Sequence, residues 1–233
     1  MKYYQWLEDD DPFPPVETAD QYGVLCLGGD LSTVRLLDAY SKGIFPWYEE
    51  DQPIIWHAPD PRFVLFPDNL AVSRSMRQVL KRNEFEITFD RSFFDVMLSC
   101  AAPRRKQQGT WITSDMLDAY CELHNEGYAH SVEAWKDGRL AGGLYGVSLG
   151  KIFFGESMFS LVPNASKAAF ITLMGDLKAK GFELIDSQVY TDHLSSLGAE
   201  NISRDRYCEL LKRYLSYPTD KGKWAFRADE TGE

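Results

Sequence analysis

The chain has 233 residues, 44% of them hydrophobic and 14% aromatic, which is enough apolar material for one large packed domain or two modest ones. Its formal net charge of −10 disfavours indiscriminate nucleic-acid binding while leaving room for a local basic patch. No run approaches the roughly 18 apolar residues of a membrane helix, the acidic stretch Glu8 to Asp11 is unlike a secretory signal, and the scattered Cys26, Cys100, Cys121 and Cys208 read as reduced thiols of a cytoplasmic protein.

Residues 1–62 read as a small N-terminal domain and residues 63–233 as a larger one. The first is rich in Pro, Gly and Trp, with one helix expected over Ser32 to Ser41, capped by Ser32 and stopped by Gly43. Ile44-Phe45-Pro46-Trp47-Tyr48 and Trp56-His57-Ala58-Pro59-Asp60-Pro61-Arg62 set aromatic rings beside prolines. Such rigid loops serve either as a lid on the larger domain or as a ligand platform. Phe63 to Phe66 then reads as a strand, Arg74 to Lys81 as a helix and Phe85 to Phe89 as extended. Ser92 to Cys100 and Ser114 to Glu126 read as helices, the second capped by Thr113 or Ser114. Strands Ala129 to Lys136 and Arg139 to Leu149 join at the turn Asp137-Gly138, and Ile152 to Gly155 continues the sheet. Asn164 is expected to cap a helix reaching about Ala179, with Gly181 as its stop. Strand Glu183 to Ser187 and helix Arg204 to Tyr214 follow. This order makes an α+β fold with a mixed, mostly antiparallel sheet, and it resembles acyltransferases of the GCN5-related N-acetyltransferase superfamily.

Two carboxylates interrupt apolar or small-residue runs: Glu156 in Gly155 to Ser160, and Asp186 in Leu184 to Gln188. A buried acid is costly unless a cation meets it, and an amine substrate or a structural salt bridge would each do so. Asp186 and Gln188, two apart, are expected on one face of a strand. Arg74, Arg77 and Lys81 share a helix face above Val79 and Leu80, with Arg82 adjacent, and Arg104-Arg105-Lys106 precedes Trp111. These clusters read as a polyanion footprint or as solvated faces pairing with surplus acids. Gly142-Gly143 and Gly146 mark close backbone approach in a strand and suit a site where an acyl group enters between strands. The segment Ser160 to Lys167 lacks the Arg/Gln-x-x-Gly-x-Gly/Ala loop of acyl-CoA users, so acetyl-CoA is not expected. There is no His/Cys metal cluster. His124 and His130 are expected to be structural, while His193, close after the Asp186 strand, is a candidate for the site.

The chain resembles the leucyl/phenylalanyl-tRNA–protein transferase family. The resemblance rests on Leu27-Gly28-Gly29-Asp30-Leu31-Ser32, Gly43 to Trp47, Pro59 to Arg62, Ser73 to Arg77, Gly109 to Thr113, His130 to Glu133, Gly155 to Ser160, Ala165 to Lys167, Leu184 to Val189 and Ser195 to Ala199. It implies a bacterial cytoplasmic enzyme, free of cofactor and metal, with a small N-terminal domain beside an acetyltransferase-like one. Such an enzyme moves Leu, Phe or, less readily, Met from aminoacyl-tRNA to the N-terminal Arg or Lys of a protein, feeding the N-degron pathway. By the same resemblance, Asp186 would orient the acceptor amine or take its proton, Gln188 would relay or hydrogen-bond, and Glu156 would pair with the acceptor's cationic end. Leu144, Met158, Leu173, Ile185 and Ser187 would line the donor pocket. Trp47 and Trp111 would stack the terminal adenosine, and Arg74, Arg77, Lys81 and Arg82 would hold tRNA phosphates. A monomer is expected. Two rivals are a peptidoglycan cross-bridge transferase, which generally carries two such domains, and a non-catalytic reader of cationic N-termini, which needs neither the tryptophans nor the basic helix.

Overall fold

A four-stranded sheet occupies the first 57 residues, where the sequence promised one helix among loops. The computed structural model describes residues 3–102 and 112–225. Strand β1 (Gln5–Leu7) pairs parallel with β2 (Val24–Gly28), and after helix α1 (Thr33–Ser41) come β3 (Phe45–Pro46) and β4 (Ile55–His57), in the order β1-β2-β4-β3. Strands this short carry too few residues for an alternating apolar pattern to declare itself. The helix was legible. Ser32 Oγ accepts from Arg35 N at 3.3 Å, and Gly43 leaves the helix at φ +74°.

The second sheet has seven strands. In chain order the elements are β5 (Arg62–Leu65), α2 (Arg74–Lys81), β6 (Glu86–Phe89), α3 (Phe93–Ala101), α4 (Ser114–Asn125), β7 (Ala129–Lys136), β8 (Arg139–Leu149), β9 (Ile152–Ser160), α5 (Ala165–Ala179), β10 (Leu184–Asp186), α6 (Asp192–Ser195), β11 (Glu200–Ile202) and α7 (Arg204–Tyr214). The order across the sheet is β11-β5-β10-β9-β8-β7-β6. Only β9 and β10 run parallel there, so the sheet is mixed and mostly antiparallel. The β7–β8 hairpin turns on Asp137 and Gly138 at φ +51° and +72°, the pair of positive values that a two-residue turn of this hand requires. No helix among the described residues is long and apolar enough to cross a membrane.

Two apolar clusters sandwich this sheet. One joins the small sheet (Leu7, Leu25, Trp56) and α1 (Leu36, Tyr40) to α3, α4 and α7. The other packs α5 and α2 on the opposite face. Helix α5 lies very close: a Cβ on Gly142 would sit 2.7 Å from Ala165 Cβ and 2.9 Å from Ser166 N. The glycines of β8 thus permit close helix and strand packing. Asn164 does not cap α5 with its side chain; it takes φ +72°, and Ser160 Oγ accepts from Ser166 N instead, at 3.3 Å.

Strand β9 runs five residues beyond the expected stop at Gly155, and a bulge explains why the pattern misled. Tyr145 faces Ser157 while the next residue, Gly146, faces Gly155, so Glu156 is the extra residue. In a regular strand Phe154, Glu156 and Met158 would share a face. Here Phe154 and Phe159 lie in the first cluster and Met158 packs on the second. The bulge thus separates Glu156 from Met158 across the strand. A Cβ on Gly146 would stand 2.2 Å from Phe154 O. Gly146→Ala is accordingly expected to cost about 3 kcal/mol in urea denaturation, the upper end for overpacking, and a loss under 1 kcal/mol would show that the bulge yields easily.

Candidate functional site

Asp186 ends β10 fully buried, opposite Phe154 of β9 and Val64 of β5. Beyond it β9 continues alone beside β8, so the two parallel strands part company at this point. A structural cation meets the acid: Arg62, itself 1% exposed, donates from Nε to Oδ1 at 2.8 Å and from Nη2 to Oδ2 at 2.6 Å. Tyr207 of α7 donates to Oδ2 at 2.7 Å, and Gln188 N donates to Oδ1 at 2.9 Å. Four donors fill the roughly four lone-pair positions of a carboxylate. Burial works against the charge on Arg62, and the Asp186 carboxylate together with Tyr207 and Glu156 more than offsets it, holding the guanidinium above its ordinary range.

Gln188 does not continue the strand, so the expected shared face of Asp186 and Gln188 is replaced by a turn. Its φ is +55°, and Val189 N donates back to Ser187 O at 2.6 Å. The Asp186 carboxylate accepting from an N–H two residues on is an Asx turn, and this bond helps hold Gln188 in the left-handed region. The turn sends the Gln188 carboxamide to Glu156, Nε2 to Oε1 at 3.2 Å. The two residues the sequence singled out for an amine site therefore touch.

Glu156 is half-buried at the bulge and is held by two tyrosines the sequence reading missed. Tyr40 of α1 donates to Oε1 at 2.7 Å, Tyr120 of α4 to Oε2 at 3.3 Å, and the two hydroxyls lie 2.5 Å apart. Burial pushes the Glu156 carboxyl up to about 7, against the pull of these hydroxyls and of Arg62 and with the push of Asp186. A signal for these partners was available. Arg62 opens an apolar strand just as Asp186 closes one, and a buried Tyr needs a partner for its hydroxyl.

The raised value has a thermodynamic consequence. From its usual 4.5 up to about 7 the folded state holds the Glu156 proton and the unfolded chain does not. Stability from this group is full below the lower value and is lost as pH rises through the upper one. Glu156→Gln is therefore expected to match the parent near pH 4 and to exceed it by roughly 3 kcal/mol above pH 7 in denaturation experiments. Parallel pH profiles for the two proteins would count against it.

Of the donor-pocket candidates, Leu144, Leu173 and Ile185 are at most 2% exposed, and partly buried Met158 packs on the same cluster. Leu144 faces Met158 across β8 and β9, and Ser187 lies buried next to Ile185's strand end. Trp47, 43% exposed, leans on His57 with ring centroids 5.7 Å apart. Trp111 and the Arg104-Arg105-Lys106 cluster lie outside the described residues. Arg74, Arg77, Lys81 and Arg82 are all exposed on or just after α2, with Met76 buried beneath and Val79 and Leu80 partly so. Only Arg82 among them pairs with a described acid, Glu84, at 3.6 Å. His130 bonds buried Asp90 at 2.9 Å and stacks on Trp224, and His124 stacks on Phe93. Both have the structural roles expected. His193 sits on α6 next to the turn, its value lowered by burial and by Lys167.

The chain is similar to known proteins along nearly its whole length. A family model described as leucyl/phenylalanyl-tRNA protein transferase matches residues 64–212, and one described as the N-terminal domain of the same transferase matches residues 29–60. A leucyl/phenylalanyl-tRNA–protein transferase of Myxococcus xanthus is 55% identical over 94% of this chain and 94% of its own length. One from Nitrosospira multiformis is 54% identical over 95% and 96%. Among solved structures, L-PGS from Bacillus licheniformis aligns with TM-score 0.38 and 14% identity over 88% of this chain and 68% of its own. A C-terminal domain of a putative lysylphosphatidylglycerol synthetase from Agrobacterium fabrum gives 0.37 and 12% over 83% and 60%. Those two likenesses are too remote to argue from. Two matching family models, and relatives more than half identical along nearly the whole length, make this chain a member of the leucyl/phenylalanyl-tRNA–protein transferase family.

Proposed function

We propose that the chain transfers leucine or phenylalanine, and less readily methionine, from aminoacyl-tRNA to the N-terminal arginine or lysine of proteins, so marking them for N-degron degradation in the bacterial cytoplasm. The single observation that carries the site assignment is the half-buried Glu156 carboxyl joined to Gln188 at 3.2 Å, where β9 leaves β10. The donor ester is already activated. The acceptor α-amine, with a pKa of about 8, must lose a proton as its nitrogen bonds the ester carbonyl and the tRNA hydroxyl departs. Glu156, pushed up to about 7, is matched to meet the acceptor's cationic end, to take that proton and to return it to the departing tRNA oxygen. Gln188 holds the amine in line, and Asp186, its lone pairs occupied, orients Gln188.

Met158, at the margin of the apolar cluster, admits the donor side chain above Leu144, Leu173, Ile185 and Ser187; a thioether deforms to accept both Leu and Phe. Trp47 and Trp111 stack the terminal adenosine, each contact worth about 1 to 3 kcal/mol. Arg74, Arg77, Lys81 and Arg82 grip phosphates without reading sequence. The enzyme works as a monomer with a small domain over residues 1–62 and an acetyltransferase-like one over 63–233. That division is supported by the separate sheets, and the acetyltransferase likeness by the parallel β9 and β10 strands that diverge at the site. Incubation with radiolabelled Phe-tRNA should put label into a protein beginning with Arg and not into the same protein beginning with Glu. An unlabelled Arg-starting protein overturns the reading, and binding without label points to the adaptor.

A further inference from the structure

We propose that Arg62 and Tyr207 are positioning residues for the transfer: they fix the Asp186 carboxylate, and through it the left-handed turn that presents Gln188 to Glu156 and the acceptor amine. The inference rests on the functional reading above and adds two residues to it.

The geometry is that of a clamp. A carboxylate at a strand end is free to rotate unless each oxygen is committed. Here Oδ1 receives Arg62 Nε at 2.8 Å and Gln188 N at 2.9 Å, and Oδ2 receives Arg62 Nη2 at 2.6 Å and Tyr207 Oη at 2.7 Å. The guanidinium is itself fixed between two rings, its Cζ 4.9 Å from the Phe45 centroid and 4.6 Å from that of Tyr207. A planar fork so held leaves one orientation for its carboxylate. The same strand also secures the turn's backbone. Ser187 N donates to Phe63 O at 3.0 Å, and Phe63 N donates to Gln188 O at 3.2 Å.

Gln188 needs this support because a non-glycine residue at φ +55° is strained unless its surroundings over-determine it. The Asp186 bond to its N–H is the contact that favours the turn over a continued strand. Loosening the carboxylate therefore loosens the carboxamide and its bond to Glu156, with no change to the apolar cluster or to the basic helix. Arg62 and Tyr207 touch no reacting atom in this scheme. They act on the orientation of the one group that holds the amine in line.

The test uses Tyr207→Phe, which removes one donor and keeps the ring, and Arg62→Lys, which keeps the charge and loses the fork. Each is assayed with an Arg-starting peptide and a phenylalanyl-adenosine donor, beside the parent, with the folded fraction measured in parallel. The expected loss in kcat per folded molecule is about two- to tenfold for Tyr207→Phe, the range of one hydrogen bond, and about ten- to hundredfold for Arg62→Lys, the range of bonds to a charged group. KM for the donor stays unchanged. In a Gln188→Ala background neither substitution costs anything further, because the effect runs through that side chain. Losses that multiply with Gln188→Ala, or that vanish once corrected for the folded fraction, overturn the proposal. If Arg62→Lys fails to fold, the Tyr207→Phe cycle decides alone. An inactive parent refutes the transferase reading itself, which is a separate outcome.

Discussion

Replacing Asp186 by alanine is expected to abolish transfer of Phe from charged tRNA to an Arg-starting peptide and to cost about 3 to 5 kcal/mol of stability. Both losses have one source. Arg62 is 1% exposed, and removing its carboxylate leaves a guanidinium buried between two rings without a counter-charge. Gln188 loses the acceptor for its N–H at the same stroke, and a residue at φ +55° then gains by relaxing toward the extended region. Asp186→Asn keeps the shape and one acceptor oxygen, so it is expected to retain more stability than alanine while still losing most activity. Urea denaturation and transfer rates measured on folded protein separate the two effects. Wild-type activity in Asp186→Ala would sink the assignment of this cluster to the reaction.

The second large effect concerns the donor. Changing Arg77 and Lys81 together to Glu is expected to weaken binding of aminoacyl-tRNA and to leave reaction with phenylalanyl-adenosine intact. The two side chains are exposed on α2 and pair with no described acid, so the exchange breaks no ion pair among the described residues and costs at most the small helix-end contribution of Lys81. Each lost phosphate contact should also flatten the dependence of log affinity on log salt by about 0.7 to 0.9. Equal losses with the long and the short donor would refute the footprint on α2.

How far the sequence led depended on the length and regularity of each element. The β7–β8 hairpin, α2 and α7 have the bounds expected of them, and the turn Asp137-Gly138 and the caps Ser73 and Ser203 act locally in each. The small sheet was not, since its strands run two to five residues and owe their pairing to partners far along the chain. Strand β9 was cut short at Gly155 because a bulge breaks the alternation that a strand reading relies on. The site divided in the same way. Glu156, Asp186 and Gln188 stood out as polar residues in apolar runs. Their partners Arg62, Tyr207, Tyr40 and Tyr120 come from elements 21 to 124 residues away, and only folding reveals which cation and which hydroxyl each acid meets.

Tyr40 gives the site a dependence of another kind. It rides on α1, within the first part of the chain, yet it is the nearest donor to Glu156, which lies in the large sheet. In the proposed scheme the charge-selecting Glu156 is thus held from both parts of the protein, by Tyr40 of α1 and Tyr120 of α4, while the Asp186 clamp is finished by Arg62 and α7. Loss of the Tyr40 contact would fall first on Glu156, and on the Gln188 turn only through the bond that joins the two. On the proposed reading, a protein whose α1 has lifted would keep the Asp186 clamp and lose discrimination between Arg and neutral N-termini. Fidelity toward the acceptor becomes a readout of whether α1 is seated.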